Sequence, residues 1–494
     1  MYWLGIDIGT GGTRALLVDP EGRVIHGFTA PHQNMRMERP RWAEQRPENW
    51  WEAVQAAIGG VLAASGVEAT EIRGIGLSGQ MHGLVMLDER NEVIRPALIW
   101  CDQRSQPQVD WINRTVGREA ILAFTANPVL TGFTLPKLLW VRDHEPAHYQ
   151  RMRKMLLPKD YVRFQLTGEH ATDVSDASGT ALLDVVRRRW SPDMIERVGL
   201  DRAILPRVYE SPEITGRVHA AAAAATGLAE GTPVVAGGGD QASSAVGNGI
   251  VEAGIASCTL GTSGVVFVHL EKPDYDPAGR VHTFCHAVPG AWHAMGVTQG
   301  AGLSLEWFRN QLAPGAGYDE LTAEAERAPL GAHGLFWLPY LMGERTPHLD
   351  AGARGGWIGL TASHGRAELI RALLEGVSFS QKDCLAVIEE MGVVVDRVRL
   401  SGGGARSAFW RRMLAGVFGR KVVTLATEEG SAYGAALLAM TGTGAFGSVT
   451  EACQATIREA ASVEPQPEES REYAKAWEVY KALYPALRPL FRRM

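Results

Sequence analysis

The sequence contains little cysteine, and the cysteines it has are scattered. Five occur among 494 residues, and no two of them form a Cys-x-x-Cys pair. This pattern is unlike a disulfide scaffold or a structural zinc site and is typical of a reducing compartment. We therefore expect a cytoplasmic protein.

Long apolar runs and an excess of basic residues are also missing. No stretch of about 18 consecutive apolar residues occurs, so no membrane span is predicted, and Asp7 interrupts the place where a signal peptide would be apolar. The net charge of −6 gives no bias towards nucleic acid or anionic membranes. With 46% hydrophobic and 21% charged residues, the composition is that of an ordinary globular protein. At roughly 150 residues per domain, the length predicts two to four domains.

Several common active-site motifs are absent. No lysine follows a glycine, which excludes the Walker A loop of P-loop ATPases. The stretch Gly9–Arg14 fails as a dinucleotide fingerprint because Arg14 stands at the last glycine position and a strand is expected to follow. The stretch Gly76–Gln80 lacks the final glycine of a serine-hydrolase elbow.

What the chain does contain is a repeated pattern of apolar strand, Gly-Thr turn and apolar strand. Tyr2–Ile8 runs into the turn Gly9–Thr13, and Ile255–Leu260 runs into the turn Gly261–Gly264. Two copies predict two α/β domains of similar plan with a cleft between them. We place the boundary after residue 246.

Other apolar patterns predict helices and a further strand. Helices are expected over residues 47–64, 368–388, 407–418 and 471–490. A short strand over residues 397–400 feeds a third glycine loop at 402–404. The polar stretch 464–469 is interpreted as a spacer before the last helix.

The Gly-Thr turns are candidate phosphate-binding loops. Such a turn exposes backbone N–H groups and a hydroxyl, and glycine lets a phosphate approach closely. Asp7, just before the first turn, can orient a metal ion that carries the phosphates. Either turn alone is as compatible with a plain β-hairpin. The recurrence of the pattern, together with the third loop, favours phosphate binding.

The most informative segment is Thr232–Gln241, in which an apolar strand ends in three glycines and a carboxylate. The glycines leave Asp240 accessible to a substrate. A carboxylate there can accept a proton from a hydroxyl during phosphoryl transfer. The alternative is that Asp240 caps the helix that follows, and one residue can fill both roles.

Taken together, these segments resemble the FGGY family of sugar kinases, within the actin-like ATPase superfamily. Gly5–Thr10 is similar to the family's first phosphate hairpin, and Gly132–Trp140 matches its first signature. Gly355–Leu360 with Glu368–Glu375 matches the second signature, and Ser401–Arg406 is similar to the adenosine loop. The resemblance covers essentially the whole chain. It implies two actin-like (ribonuclease H-like) α/β domains: a sugar-binding domain, residues 1–246, and a nucleotide-binding domain, residues 247–494.

The substrate side of the resemblance points to a ketopentose. Ser78–Gly83 and Gly343–His348 are similar to the form found in members that act on xylulose. By this resemblance Met81 and His82 contact the sugar, and Asp240 is the catalytic base. Gln241 stands next to this base, at a position where the family often has Asn. The glutamine side chain is one methylene longer, which affects the distance at which its amide can reach a sugar hydroxyl.

Five further residues are interpreted, the first two of them from the same resemblance. Asp102 and Arg104 belong to a Trp-x-Asp-x-Arg segment that lies near the sugar in the family. Arg406 can either stack on the adenine or cap a carbonyl group. Lys137 and Trp140, three residues apart on an expected helix, are interpreted as packing and surface residues.

The resemblance therefore implies ATP-dependent phosphorylation of D-xylulose on its terminal hydroxyl. Mg²⁺ would be held by Asp7 and Asp240, directly or through water, and these two are the candidate catalytic residues. No nucleic-acid or membrane partner is expected, and dimers are common in the family, so a homodimer is an option. Two alternatives remain: a kinase for another ketose or polyol, and a non-metabolic actin-like ATPase. The expected nucleotide-binding residues are Gly9, Thr10, Gly11, Gly261, Thr262, Ser263, Gly402, Gly403, Gly404 and Arg406.

Overall fold

The first Gly-Thr turn joins two antiparallel strands that form the middle of the N-terminal sheet. The computed structural model describes residues 1–427 and 429–494. Within them, the strands of this lobe are β1 (Tyr2–Ile8), β2 (Gly12–Val18), β3 (Val24–Pro31), β4 (Glu44–Gln45), β5 (Ile72–Gly79), β6 (Val85–Leu87), β7 (Ala97–Leu98), β8 (Lys154–Leu156), β9 (Ala171–Asp173), β10 (Leu183–Asp184), β11 (Arg189–Trp190), β12 (Arg207–Tyr209), β13 (Ile214–Arg217), β14 (Pro233–Val235) and β15 (Gly238–Gly239). Seven of these strands form one sheet, in the order β13-β14-β5-β1-β2-β3, with β15 beside β5.

The α-helices of this lobe are α1 (Pro47–Ser65), α2 (Gln106–Val116), α3 (Arg118–Thr125), α4 (Thr134–His144), α5 (Pro146–Arg151), α6 (Pro158–Thr167), α7 (Val174–Ala177), α8 (Pro192–Val198), α9 (Ala220–Thr226) and α10 (Asp240–Gly247). Of these ten described helices, seven, α2 to α8, follow one another in the chain between β7 and β13. In α1, Trp50, Val54, Ile58 and Val61 are buried at helical spacing against the sheet.

The second Gly-Thr turn has the same place in the C-terminal lobe. The strands of this lobe are β16 (Gly254–Leu260), β17 (Gly264–Leu270), β18 (His282–Cys285), β19 (Trp292–Thr298), β20 (Phe336–Leu338), β21 (Gly356–Ile358), β22 (Val395–Ser401), β23 (Lys421–Leu425) and β24 (Glu459–Val463). Within the described residues, the main sheet of the lobe also has seven strands, in the order β18-β19-β17-β16-β22-β23-β24. The helices of this lobe are α11 (Gly302–Leu312), α12 (Tyr318–Glu326), α13 (Arg366–Glu390), α14 (Ala408–Phe418), α15 (Gly430–Gly442), α16 (Val449–Thr456) and α17 (Pro467–Phe491).

The two sheets share a plan, as the repeat predicts. In each, the hairpin is antiparallel and its first strand has a parallel neighbour: β5 beside β1 and β22 beside β16. One expectation is corrected at the C-terminus, where α17 begins at Pro467 inside the predicted spacer. Proline suits the first helical position, and Glu468 and Glu469 lie in the first turn, where the helix dipole favours negative charge.

The lobes are packed closely through α15, which lies against β1 and β5 of the N-terminal sheet. A Cβ atom at Gly5 would stand 1.9 Å from the carbonyl oxygen of Ala432, and one at Gly76 would stand 1.9 Å from that of Ala435. Glycine at these two strand positions therefore allows backbone contact between the lobes. No helix in the described part of the chain combines the length and apolar character that a membrane crossing requires.

We expect Gly76→Ala to weaken this contact severely. The new methyl group would collide with backbone, which cannot move aside as a side chain can, so we expect a loss of about 3 kcal/mol in the free energy of unfolding. Urea unfolding followed by fluorescence measures it. The control is Gly59→Ala on the exposed face of α1, where a Cβ meets nothing within 4 Å. That change should stabilise by about 0.5–1 kcal/mol, and equal midpoints for the two variants would contradict the packing argument.

Candidate active site

Three candidate segments meet at the carboxyl ends of neighbouring parallel strands. Strand β5 lies between β1 and β15, and its Ser78 is paired with Asp7 on one side and Gly238 on the other. The carboxyl ends of such strands are where α/β proteins bind ligands. Asp7, the segment after β5 and Asp240 therefore share one edge of the sheet, although they are far apart in the chain.

The run of three glycines before Asp240 is required by close packing. Gly237 has φ +77°, and a Cβ there would stand 2.0 Å from the carbonyl oxygen of Leu77. A Cβ at Gly239 would stand 2.9 Å from the sulfur of Met81. The glycines thus let the chain pass tightly against β5 and against Met81, one of the predicted sugar contacts. The packing holds Asp240 beside the segment that carries Met81.

Asp240 is the first residue of α10, and Gly239 holds the N-cap position without a side-chain cap. The carboxylate therefore does not cap the helix in the way that the alternative interpretation required. Burial, reinforced by the negative charge of Asp7, raises the pKa of Asp240 to about 7, whereas hydrogen bonds from Gln241 oppose the shift. A carboxylate with a pKa near neutrality is suited to accept a proton. Gln241 is half-buried next to it.

Asp7 provides a second carboxylate facing Asp240. Burial raises its pKa, and its Oδ1 atom is buried without a hydrogen-bond partner. A buried, unpartnered carboxylate oxygen beside another carboxylate is unfavourable unless a cation joins them. The pair therefore fits a hard divalent cation such as Mg²⁺, which takes oxygen ligands.

His82 is held in a conformation that non-glycine residues rarely adopt. Its φ is +69°, and its carbonyl oxygen accepts hydrogen bonds from Lys137 Nζ at 2.9 Å and from Thr134 Oγ1 at 3.2 Å. Its Nδ1 lies 2.8 Å from the carbonyl oxygen of Gly179, and its ring stacks on Phe133 at 4.9 Å. Burial lowers the pKa of His82 to about 3, so the ring is neutral. Nδ1 then donates to Gly179, which leaves Nε2 as an acceptor for a ligand hydroxyl.

Lys137 is not the surface residue that its helical spacing indicated. Its side chain is fully buried, and its ammonium donates to the carbonyl oxygens of His82 and Gly132. Burial lowers the pKa of Lys137 to about 7, whereas the negative charge of Asp102 opposes that shift. Sequence reasoning missed this role because nothing local shows that residue 137 lies under residue 82. Trp140 is buried, as expected of a packing residue.

A hydrogen-bond chain connects the first Gly-Thr turn to the segment after β5. Trp100 Nε1 donates to Thr10 Oγ1 at 2.9 Å, and Thr10 Oγ1 donates to Gln80 Oε1 at 3.2 Å. Gln45 completes the chain by accepting from Gln80 Nε2 at 2.9 Å and donating to the carbonyl oxygen of Thr10 at 2.7 Å. The turn itself is closed by Gly9 N–H, which donates to the carbonyl oxygen of Gly12. Gly11, at its tip, is exposed.

Asp102 and Arg104 form a buried ion pair. Arg104 Nη2 lies 2.7 Å from Asp102 Oδ2, which also accepts from the backbone N–H of Ala43. The guanidinium donates to Glu44 as well and lies 3.7 Å from the ring centre of Trp42. These polar groups are engaged within the protein, and direct sugar contact by the pair stays a prediction.

The second Gly-Thr turn and the third glycine loop lie side by side in the C-terminal lobe. A Cβ at Gly402, where φ is +82°, would stand 2.6 Å from the carbonyl oxygen of Leu260. Thr262 holds the start of α11 through its carbonyl oxygen, which accepts from the N–H of Ala301 at 3.1 Å. The predicted nucleotide-binding side chains and glycines that remain exposed here are Thr262, Ser263, Gly402, Gly403 and Arg406. Gly261 and Gly404 are half-buried.

The beginning of α15 links this lobe to the carboxylates. Ser431 Oγ donates to the carbonyl oxygen of Asp240 at 3.1 Å. Next to it, Glu429 Oε2 accepts from Arg14 Nε of β2 at 3.0 Å. The backbone of the candidate base is thus in contact with both lobes.

Comparisons with known proteins agree with this architecture. The FGGY family of carbohydrate kinases matches twice: its N-terminal domain over residues 2–247 and its C-terminal domain over residues 256–443. Xylulose kinase of Bacillus subtilis (strain 168) is 41% identical over 483 residues, 98% of this chain and 96% of that protein. Xylulose kinase of Escherichia coli (strain K12) is 40% identical over 491 residues, 99% of each chain.

A solved structure extends the similarity to the fold. It is described as a xyloylose kinase from Brucella ovis, with a TM-score of 0.93 and 37% identity over 99% of this chain and 100% of that one. The fold class predicted from the sequence, α/β with two actin-like ATPase domains, is confirmed.

Proposed function

This chain belongs to the FGGY family of carbohydrate kinases, and we propose that it transfers the γ-phosphoryl group of ATP to D-xylulose, giving D-xylulose 5-phosphate and ADP. The observation that carries the proposal is the meeting of Asp240 with Met81 and His82 at one sheet edge. The relatives that share nearly the full length of the chain bear the name of this activity.

Asp240 is the base of the proposed reaction. Its carboxylate accepts the proton of the C5 hydroxyl while that oxygen attacks the γ-phosphorus. The bond from the γ-phosphorus to the bridging oxygen breaks, and ADP leaves with the electron pair. A pKa near 7 means that the carboxylate can be ionised before the reaction and still hold the proton afterwards.

The sugar would lie against Met81, His82 and Gln241. Met81 gives an apolar wall, His82 Nε2 accepts a bond from one hydroxyl, and the Gln241 amide can both donate and accept. Fixed polar groups of this kind discriminate strongly against analogues that lack the matching hydroxyl. Asp102 and Arg104 would support this side of the site.

The nucleotide would bind along the glycine loops. Gly9 and Gly261 close the two turns with their own N–H groups, and the backbone N–H groups of Thr10, Gly11, Thr262 and Ser263 would face the phosphates. Gly402, Gly403, Gly404 and Arg406 would hold the adenosine. Closure of the lobes would exclude water, which otherwise competes with the sugar as acceptor.

Asp7 and Asp240 are the residues that would hold Mg²⁺, directly or through water. When bound, the ion neutralises charge on the phosphate oxygens. Within residues 1–427 and 429–494, no group of three or more His, Cys, Asp or Glu side chains is arranged to hold a metal. Two carboxylates, substrate phosphates and water are the usual ligand set for Mg²⁺ in kinases.

The experiment is ADP release coupled to a reporter reaction, with Mg-ATP and a panel of acceptors. D-Xylulose should give the highest kcat/KM among D-xylulose, D-ribulose, L-ribulose, L-xylulose, glycerol and gluconate. A clear preference for another acceptor would support the kinase activity and would overturn D-xylulose as the proposed substrate. Steady turnover that no sugar stimulates would overturn the kinase and indicate a non-metabolic actin-like ATPase.

Two broader proposals accompany the activity. We place the protein in the cytoplasm, because its five cysteines are free and its proposed substrate is ATP. We also propose a homodimer, on the precedent of the family alone. Size-exclusion chromatography with light scattering measures the mass in solution.

A further inference from the structure

One buried segment, residues 173–180, contacts both halves of the proposed site. It follows β9, comprises α7 and one short turn of 3₁₀ helix, and is buried throughout. The Ser175 hydroxyl accepts a hydrogen bond from the backbone N–H of Gly239, the residue before Asp240, and the carbonyl oxygen of Gly179 accepts one from His82 Nδ1. Ser178 Oγ accepts from the backbone N–H of Cys285 in the other lobe at 3.0 Å. Residues 173–180 therefore make hydrogen bonds to the segment of the proposed base Asp240, to the proposed sugar contact His82 and to the sheet of the C-terminal lobe.

The contact to the base is a single hydroxyl group. Ser175 Oγ accepts a hydrogen bond from the backbone N–H of Gly239 at 3.1 Å and donates to Asp173 Oδ2 at 2.5 Å. Gly239 is the N-cap of α10, and Asp240 is the next residue. The direction in which the Asp240 side chain leaves the backbone thus depends on where this amide is held.

The orientation of Ser175 depends on buried charges. Asp173 caps α7 by accepting from the N–H of Ser175 at 2.7 Å, and Lys159 Nζ lies 2.8 Å from Asp173 Oδ1. Lys159 also lies 2.6 Å from Asp160, and none of these side chains is exposed. Ion pairs buried away from water have few alternative arrangements, because separating them costs several kcal/mol. The Asp173 carboxylate, which accepts the hydrogen bond from the Ser175 hydroxyl, is therefore held in place.

We propose that Ser175 is a positioning residue for phosphoryl transfer: its hydroxyl, oriented by Asp173 and Lys159, fixes Gly239 and so sets the reach of Asp240 towards the sugar hydroxyl. The inference rests on the proposed kinase function. Because residues 173–180 also hold His82, they fix the separation between the base and the sugar contact. Misplacing a reacting group by about 1 Å can cost on the order of 10²-fold in rate.

The test compares Ser175→Ala with Ser211→Ala. Ser211 Oγ donates to the same Asp173 Oδ2 at 3.1 Å and is equally buried, but it makes no contact with Gly239 that the structure records. We expect Ser175→Ala to lower kcat with D-xylulose by about 10- to 30-fold, with KM for sugar and Mg-ATP within about threefold of wild type. Ser211→Ala should change kcat by less than about threefold. If Ser175→Ala does not fold, Ser175→Cys replaces the hydroxyl with a weaker hydrogen-bonding group of similar shape.

A second readout does not require any substrate. Amide hydrogen exchange over residues 236–245 should be faster in Ser175→Ala than in wild type, and unchanged in Ser211→Ala. Equal kcat losses in the two variants, a loss confined to KM, or unchanged exchange would overturn the inference. Absence of turnover with every sugar in the wild type would overturn the proposed function, and the exchange comparison would still decide the role of Ser175.

Discussion

Asp240→Asn is expected to lower kcat for D-xylulose phosphorylation by about 10³-fold, within the range of 10²–10⁴ that a positioned base contributes. The amide has the size of the carboxylate but cannot accept the proton of the attacking hydroxyl. Burial and Asp7 hold the pKa of Asp240 at about 7, which matches the base role. Initial rates of ADP release across a range of sugar concentrations give kcat and KM separately.

The control is Asp319→Asn. Asp319 also lies in the first turn of a helix, α12, but is exposed. It should leave both constants unchanged, since no ligand group is expected near it. An Asp240→Asn enzyme within tenfold of the wild type would rule out Asp240 as the base.

The same substitution should change stability in a pH-dependent way. The ordinary pKa of the Asp240 carboxyl is 3.8, and in the folded protein it is raised to about 7. Between these values the folded state binds more protons at this residue than the unfolded state, so its contribution to stability falls as pH rises from about 4 to about 7. Without nucleotide, Asp240→Asn should therefore have a higher thermal midpoint than wild type at pH 8. The difference should shrink towards pH 4, and a lower midpoint at pH 8 would contradict the assigned direction.

How far the sequence reveals the site depends on whether the signal is local. The hairpin turns, α1 and the run Gly237–Asp240 are predictable because glycine, proline and apolar spacing act over a few residues. Ser175 and Gly239 are 64 residues apart and meet only because the fold packs α7 against β15. The spacing of residues along a single sequence does not predict such a contact.

Burial explains why the sequence does not predict the roles of the other residues. Charged residues are seldom buried, so Lys159 gives no sign of belonging to a buried network. Asp102 and Arg104, by contrast, are predicted by resemblance to lie near the sugar, and the structure adds that they are paired with each other. Their proximity to the sugar stays a prediction, because a sequence pattern does not show whether a polar side chain faces a ligand or another residue.

Lys137→Met is expected to raise KM for D-xylulose by about 100-fold. The thioether keeps much of the length of the lysine but removes the ammonium that donates both hydrogen bonds, so the carbonyl oxygens of His82 and Gly132 each lose a partner at a buried position. The His82 carbonyl oxygen keeps the bond from Thr134 Oγ1, whereas the Gly132 carbonyl oxygen loses its side-chain donor, and a buried group left unsatisfied costs about 1–3 kcal/mol. The left-handed backbone of His82 is itself unfavourable by about 1–3 kcal/mol and persists only while its surroundings enforce it.

Once released, His82 should relax to an ordinary backbone conformation, and its Nε2 atom would leave the sugar. KM for the sugar should therefore rise, whereas KM for Mg-ATP, whose proposed site is the glycine loops, should stay constant. Lys154→Met is the matched control, because Lys154 Nζ also donates to a carbonyl oxygen, that of Ala203 at 2.7 Å, but at an exposed position. A Lys137→Met enzyme that is less stable yet keeps the wild-type KM for sugar would return Lys137 to a packing role. A selective rise in KM would show that the buried ammonium of Lys137 sets the affinity for the sugar through the backbone of His82.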